Sequence, residues 1–129
     1  MADPTVLLDT SALLALILQE RGADRVMAVL DQAAISAVSL TEVIEVAVRK
    51  GQPREQAEGL ATELALPVFP FDAATAAGAA RLLVAHRRHD LSLGDCACLA
   101  TARQHGLPVL TAGRAWAGLD LGVEIRLIR

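Results

Sequence analysis

Residues 4–16, PTVLLDTSALLAL, join a short apolar run to a segment rich in helix-forming residues, with Asp9 at the junction. The run that ends at Leu8 has the length and composition of a buried strand. The segment from Ser11 to about Glu20 is typical of a helix, which Gly22 would interrupt. A buried strand followed at once by a helix favours an α/β architecture.

The remainder of the chain continues this alternation of short strands and helices. Further strands are predicted at residues 34–38, 67–71, 108–111 and 123–128, and further helices at residues 23–32, 39–50, 72–88 and 95–105, with another beginning at residue 53. Short apolar strands separated by helices indicate a mainly parallel sheet that is covered on both faces. Two prolines favour an edge position for residues 67–71. The sequence therefore predicts a three-layer α/β/α sandwich with a mainly parallel central sheet.

Length and composition limit the classes of protein to consider. The chain has 129 residues, the size of a single domain, and its 53% hydrophobic content excludes a disordered protein. Aromatic residues make up 2%, too few for a base-stacking surface, and the formal net charge of −3 leaves nucleic-acid contact to a local basic patch. The longest apolar run is far short of the ~20 residues that span a bilayer, and no signal peptide is visible. We therefore expect a cytoplasmic protein without a membrane partner.

The cysteines and histidines are not expected to bind a metal. Cys96 and Cys98 are two residues apart with no second cysteine pair, which disfavours a zinc site and leaves core packing as their simplest role. His86, His89 and His105 flank Arg-rich helix ends and are interpreted as surface residues rather than as a general base.

Three acidic residues fall where predicted strands meet the helices that follow them. Asp9 ends the first strand, while Glu42 and Asp95 are placed in the first turns of later helices. The crevice of an open α/β sheet lies outside the carboxyl ends of its strands, so the three carboxylates converge if those strands are adjacent. A hard cation such as Mg²⁺ or Mn²⁺ is the usual partner of such a cluster. This pattern indicates metal-dependent hydrolysis of a phosphodiester.

Each acid also has a purely structural interpretation. The spacings of Ser39 to Glu42 and of Ser92 to Asp95 fit capping boxes, and acids in a first helical turn gain from the helix dipole without any metal. Asp9 is harder to explain in this way, because a charge at the end of a buried strand is costly unless it is partnered. The three acids together favour a functional site.

Several segments, taken in order, resemble one known family. These are VLLDTSALLAL, the predicted strand with SLTEV, LSLGDCACLATARQHGLPVLTAGRAW and the closing LGVEIRLI. The chain is similar to PIN-domain ribonucleases and, more narrowly, to the VapC-type toxins of bacterial toxin–antitoxin modules. The resemblance implies a single PIN-like domain over residues 1–129, an α/β/α fold, and an endonuclease that cuts RNA with Mg²⁺ or Mn²⁺.

The resemblance also implies roles for individual residues. Asp9 and Asp95 match acids that bind the metal, and Glu42 matches the acid that follows the second strand. Ser11 matches the small hydroxyl residue beside the first acid. Thr111, together with Ser11, could position water or a phosphate oxygen.

The segment after the predicted strand at residues 108–111 departs from the family pattern. Where the family commonly carries an acid, this chain has Gly113, which offers no ligand. Loss of one carboxylate predicts weaker metal binding and reduced or absent turnover. Neither Asp120 nor Glu45 is placed to substitute. The neighbouring Arg114 could contact the RNA backbone, although a solvated surface arginine is the simpler interpretation.

Partners and alternative functions follow from the same residues. The resemblance implies a cognate antitoxin, and the apolar helices at residues 14–18 and 43–48 could serve a homodimer or an antitoxin as well as the core.

A catalytically silent PIN-fold binding protein is the alternative that Gly113 favours. An aspartyl phosphotransferase or receiver domain is disfavoured, because Ser11 stands where the former needs a second Asp and Lys50 is the only lysine.

Overall fold

A five-stranded parallel sheet forms the centre of the protein, whose computed structural model describes residues 3–129. In chain order its strands are β1 (Val6–Leu8), β2 (Ala33–Ser36), β3 (Val68–Phe69), β4 (Val109–Thr111) and β5 (Ile125–Leu127). Their order in the sheet is β3-β2-β1-β4-β5, and every neighbouring pair is parallel. The predicted parallel sheet is confirmed, and so is the edge position of the proline-flanked β3.

Seven α-helices of the described residues 3–129 surround the sheet. They are α1 (Thr10–Ile17), α2 (Ala23–Val29), α3 (Ala37–Arg49), α4 (Arg54–Glu58), α5 (Leu60–Glu63), α6 (Ala73–Ala85) and α7 (Leu93–His105). Short 3₁₀ helices follow α2 at Leu30–Gln32 and β4 at Arg114–Trp116. Within residues 3–129, no helix combines the length and the apolar character needed to cross a membrane.

The hydrophobic core is divided into two clusters by the sheet. Leu8 packs in one cluster with residues of α1 to α3, whereas Leu7 packs in the other with residues of α6 and α7. Adjacent strand residues point to opposite faces, so one short apolar strand supplies both clusters. Cys96 and Cys98 are buried in the α6–α7 cluster, as core packing predicts. The three-layer α/β/α sandwich is thereby confirmed.

Helix α1 begins one residue earlier than the sequence predicts, at Thr10, and α3 and α7 each begin two residues earlier. Helix α3 starts at Ala37 rather than at residue 39, because the Ser36 hydroxyl caps it by accepting a hydrogen bond from the backbone N–H of Ser39. Helix α7 starts at Leu93, capped in the same way by Ser92. A hydroxyl residue opens a helix from outside it, so the helical residues begin one position after the cap.

The order of the strands brings three polar residues to the same edge of the sheet. Strand β1 lies between β2 and β4, with Leu8 in register with Ile35 and Leu110. Each of these residues is followed by a polar one, Leu8 by Asp9, Ile35 by Ser36 and Leu110 by Thr111. All three polar residues are buried. After β1 the chain continues to β2 on one side of it and later returns to β4 on the other side. Ligand crevices in open α/β sheets form at the carboxyl ends of strands where the chain changes side in this way.

Candidate functional site

A cleft of about 250 Å³ opens at the carboxyl edge of β1. Helices α1, α3 and α7 and the segment that follows β4 form its walls. The three predicted acids, Asp9, Glu42 and Asp95, all line it, and so do Ser11 and Gly113. Thr111 lies behind them in direct contact with Asp9, whereas Arg114 is exposed and does not line the cleft. The structure therefore places residues that are far apart in sequence around one cleft.

Asp9 occupies the floor of the cleft and is 7% exposed. Its Oδ1 accepts hydrogen bonds from Ser11 Oγ at 2.7 Å and from the backbone N–H of Ala12 at 2.8 Å, which caps α1. Its Oδ2 accepts one from Thr111 Oγ1 at 2.5 Å. Burial raises the pKa of Asp9 above its ordinary value, and the negative charge of Asp95 raises it further. The three hydrogen bonds lower this pKa, but by less than burial raises it.

The segment after β4 is tied to the same hydroxyl groups. Thr111 Oγ1 accepts a hydrogen bond from the backbone N–H of Gly113 at 2.8 Å, and Ser11 Oγ accepts one from Ala112 N–H at 3.0 Å. Each hydroxyl thus donates to Asp9 and accepts from the chain beyond β4. The orientation of the Asp9 carboxylate is therefore fixed by both neighbouring segments.

Glu42 reaches the cleft from the second turn of α3, not from the first turn as predicted. Because α3 begins at Ala37, the proposed capping box between Ser39 and Glu42 is wrong. Glu42 instead accepts a hydrogen bond from Thr10 Oγ1 at 2.8 Å. Its carboxylate lies against Gly94, where an added Cβ would stand 2.8 Å from both Cδ and Oε2 of Glu42. The glycine of the LSLGD motif leaves room for this acid.

Asp95 takes part in the cap of α7 and also lines the cleft. Its Oδ2 accepts the backbone N–H of Ser92 at 3.0 Å, and its own N–H donates to Ser92 Oγ at 3.0 Å. The capping box predicted for this pair is confirmed. The half-buried carboxylate also acts electrostatically on Asp9, whose pKa it raises. Its capping role does not remove it from the cleft.

The chemistry of the cleft fits a hard divalent cation. Its lining residues all belong to the described part of the chain, and none of them is Lys, Arg or His. Carboxylate and hydroxyl oxygens are the ligands that Mg²⁺ and Mn²⁺ prefer. Within residues 3–129, however, no three His, Cys, Asp or Glu side chains are grouped closely enough to hold a metal ion. Glu42 and Asp95 are hydrogen bonded to Thr10 and Ser92, so these side chains would have to turn towards Asp9.

Gly113, where the family resemblance implies a fourth acid, lines the cleft. Gly113 has φ −79° and ψ 91°, a conformation open to any residue, and a Cβ there would lie 3.2 Å from Thr111 Oγ1. Glu45 does not replace the missing acid, because it is exposed and pairs with Arg49 at 2.8 Å. Asp120 lines a separate cavity.

Sequence analysis missed several residues around the cleft. Thr10 holds Glu42, Gly94 leaves space for it, and Cys98 lines the wall as a buried thiol whose pKa burial raises well above its ordinary value. Trp116 closes the wall beside Gly113. Thr10 was detectable in principle, since it follows Asp9 directly. The other contacts depend on how α3, α7 and the segment after β4 pack together.

The sheet and the cleft together define an α/β protein with acidic side chains gathered at the carboxyl edge of its parallel strands. The chain belongs to the PIN domain family, whose profile matches residues 6–120. This result confirms the family that the order of the sequence motifs indicates. A search of curated proteins found no significant match.

Solved structures share the fold over nearly the whole chain. A toxin–antitoxin complex from Klebsiella pneumoniae is 25% identical, with a TM-score of 0.73 and coverage of 97% of this chain and 98% of that one. VapBC-5, a toxin–antitoxin system of Mycobacterium tuberculosis, is 27% identical, with a TM-score of 0.64 and coverage of 98% and 99%. M. tuberculosis VapC20, a sarcin–ricin loop cleaving toxin, is 21% identical, with a TM-score of 0.70 and coverage of 93% and 99%, and shows the fold alone.

The burial of Asp9 predicts that Asp9→Asn stabilises the metal-free protein at neutral pH. Asn keeps the cap on α1 and removes a buried charge, so we expect the free energy of unfolding in EDTA to rise by about 0.5–2 kcal/mol. The folded state binds the Asp9 proton more tightly than the unfolded state does. The stability of the wild type relative to the variant should therefore fall as pH rises from near 3.8 through the raised pKa. Urea denaturation across this range measures the effect, and a variant less stable than wild type at pH 7 would contradict it.

The contact between Gly94 and Glu42 predicts that Gly94→Ala displaces the Glu42 carboxylate. Because Glu42 is exposed and Ala favours a helix, we expect little loss of stability but about a tenfold loss of Mn²⁺ affinity in calorimetry. Gly118→Ala is the matched control, since a Cβ at Gly118 meets nothing within 4 Å. Equal Mn²⁺ affinity in the Gly94→Ala and Gly118→Ala variants would show that Glu42 does not depend on this space.

Proposed function

We propose that this chain is a metal-dependent RNA endonuclease that acts as the toxin of a type II toxin–antitoxin module. The observation that carries the proposal is the grouping of Asp9, Glu42 and Asp95 around one cleft that no basic side chain lines. Membership of the PIN domain family supports it, as does similarity to toxin–antitoxin structures at 25% and 27% identity.

The proposed cofactor is Mg²⁺ or Mn²⁺, held by Asp9 and Asp95 with Glu42 as the third acid. When bound, such a cation polarises a phosphoryl oxygen and lowers the pKa of a coordinated water. The negative charge of the three carboxylates and the absence of a basic lining residue support a cation at this place. The buried thiol of Cys98 contributes apolar wall rather than a ligand.

The other residues of the cleft position these acids. Ser11 and Thr111 donate to opposite oxygens of Asp9, which prevents its carboxylate from rotating. Thr10 donates to Glu42 and holds it at the wall of the cleft, so Glu42 would give up this bond when it turns towards a cation beside Asp9. Arg114, exposed at the start of the 3₁₀ helix beyond Gly113, is proposed to contact the RNA backbone.

The proposed partners are a cognate antitoxin and a second copy of the chain. An acidic cleft favours the guanidinium of an arginine supplied by an antitoxin, through charge-assisted hydrogen bonds. Four of the apolar residues predicted to serve a dimer are buried in the core, namely Ala15, Leu16, Val43 and Ala47, while Val48 is 38% exposed. We propose a homodimer that uses partly exposed apolar residues of this kind. A cytoplasmic location follows from the proposed RNA substrate.

A catalytically silent binding protein is the competing function. The lack of a side chain at Gly113, which lines the cleft, is the observation that favours it. Such a protein would keep the fold and bind an antitoxin without cutting RNA.

Cleavage of an RNA pool by the purified, antitoxin-free protein tests the proposal. We expect cleavage with Mg²⁺ or Mn²⁺, none in EDTA, and at least a 100-fold loss in the Asp9→Asn and Asp95→Asn variants, because each removes a proposed ligand. Glu45→Gln is the matched control, since this acid is outside the cleft. Metal-independent cleavage, or equal activity in Asp9→Asn and wild type, would remove the proposed site. Absence of cleavage by folded wild type would favour the silent binding protein.

The geometry at Gly113 predicts that Gly113→Asp raises both Mn²⁺ affinity and RNA cleavage. Its φ and ψ suit Asp, and a shift of Thr111 by a few tenths of an ångström would accommodate the new Cβ, which lies 3.2 Å from Thr111 Oγ1. Restoring one supporting group is expected to recover about 10–100-fold in affinity or activity. Gly118→Asp adds the same charge outside the cleft and should change neither property. A folded Gly113→Asp variant that matches wild type in both assays would show that position 113 does not supply the missing acid.

A further inference from the structure

A basic groove lies over the packed pair of helices α6 and α7, separate from the acidic cleft. Two adjoining cavities, of about 310 and 320 Å³, share Arg81 of α6 and Arg103 of α7 as lining residues. Gln104 lines the first cavity and His86 the second. We call these four residues the α6–α7 groove. None of them lines the cleft that holds Asp9.

A glycine lies near each arginine of the groove. A Cβ at Gly122, whose φ is +70°, would lie 3.1–3.3 Å from Nε, Cδ and Cζ of Arg103. A Cβ at Gly78 would lie 3.3 Å from Ala100 Cβ and 3.9 Å from Nη2 of Arg81. The missing Cβ of Gly122 thus leaves room for the Arg103 side chain, whereas Arg81 passes Gly78 at an ordinary van der Waals distance. Both arginines are exposed and accessible to a ligand.

The charges of these two arginines are not neutralised within the protein. Four arginines elsewhere form ion pairs with acids, namely Arg49, Arg54, Arg126 and Arg129, whereas Arg21, Arg25, Arg87, Arg88 and Arg114 form none with the described residues. Among residues 3–129, neither Arg81 nor Arg103 forms an ion pair. Asp120 lines the second cavity without pairing with either. On a chain with a formal net charge of −3, the groove is a local positive site for an anion.

We infer that the α6–α7 groove binds phosphates of the RNA whose scissile bond occupies the acidic cleft. This inference rests on the proposed ribonuclease function and adds a second contact surface to it. Arginine forks fit phosphate oxygens, and three carboxylates in the cleft repel RNA, so its affinity needs positive charge elsewhere. Helix α7 lines both sites: Asp95 and Arg103 are eight residues apart, or about 12 Å along the helix.

The residues that line the groove favour contact with the phosphates of RNA rather than with its bases. No Phe, Tyr or Trp lines either cavity, so bases have no ring on which to stack. Contacts to phosphates position a nucleic acid without reading its sequence. The groove therefore raises affinity for RNA strands in general and does not select the cleavage site.

The test compares Arg81→Gln/Arg103→Gln with wild type and with Lys50→Gln/Arg54→Gln. The control removes the same two charges from exposed residues at the end of α3 and in α4. Binding of a short fluorescein-labelled single-stranded RNA of mixed sequence is followed by polarisation in EDTA over a range of salt. Loss of two phosphate contacts should weaken binding about tenfold near 0.15 M salt and reduce the salt slope by about 1.4. With Mg²⁺ or Mn²⁺, KM for cleavage should rise while kcat stays close to that of wild type.

The outcomes separate this inference from the function on which it rests. If wild type cleaves RNA but the groove variant matches it in affinity, salt slope and KM, the inference is overturned and the ribonuclease function stands. A groove variant that keeps RNA binding but no longer binds a co-expressed antitoxin would assign the groove to a protein partner and also overturn it. If folded wild type neither binds nor cleaves RNA, the proposed function fails and the inference fails with it. Equal losses in the groove variant and the control would indicate a general charge effect and reject the groove.

Discussion

The buried carboxylate of Asp9 is the constraint around which the cleft is arranged. A charge at the end of a central strand is costly in a low-dielectric environment, and its cost is lowered by three hydrogen bonds from two segments of the chain. One of these bonds caps α1 and another comes from Thr111 at the end of β4. The side chain that gives the cleft its charge thereby also joins the first helix to the neighbouring strand. Burial still keeps the pKa of Asp9 raised, so hydrogen bonding does not fully compensate desolvation.

Much of the fold could be predicted because local and tertiary signals agree. The strand Val6–Leu8, for example, is a short apolar run followed directly by the helix-capping Asp9, and its burial on both faces requires helices above and below. The convergence of Asp9 and Asp95 follows from the same rule, since the carboxyl ends of parallel strands share one edge. Helix starts were less accurate, because Ser36 and Ser39 are both suitable caps and only the register of β2 decides between them.

The parts of the site that could not be predicted depend on packing between helices. Nothing in the local sequence of Gly94 shows that its missing Cβ accommodates an acid 52 positions earlier, and Glu42 was assigned to the wrong helical turn. The hydrogen bond from Thr10 to Glu42 likewise joins α1 to α3, and it exists only because both helices start at the same edge of the sheet. Such contacts are set by tertiary geometry, whereas capping and strand patterns are set by neighbouring residues.

The distribution of charge along α7 shows how a site can be acidic without a large cost in stability. Asp95 lies in the first turn of the helix, while Arg103 and His105 lie in the last. This is the arrangement that the helix dipole favours, with negative charge at the N-terminus and positive charge at the C-terminus. Asp95 gains further from its capping box with Ser92. Asp95 is therefore stabilised by its own helix, whereas the buried Asp9 needs the hydroxyl groups of Ser11 and Thr111 in addition to the N–H of Ala12 in its helix. The cleft thus combines an acid that its own helix stabilises, Asp95, with an acid on the floor, Asp9, whose burial carries a desolvation cost.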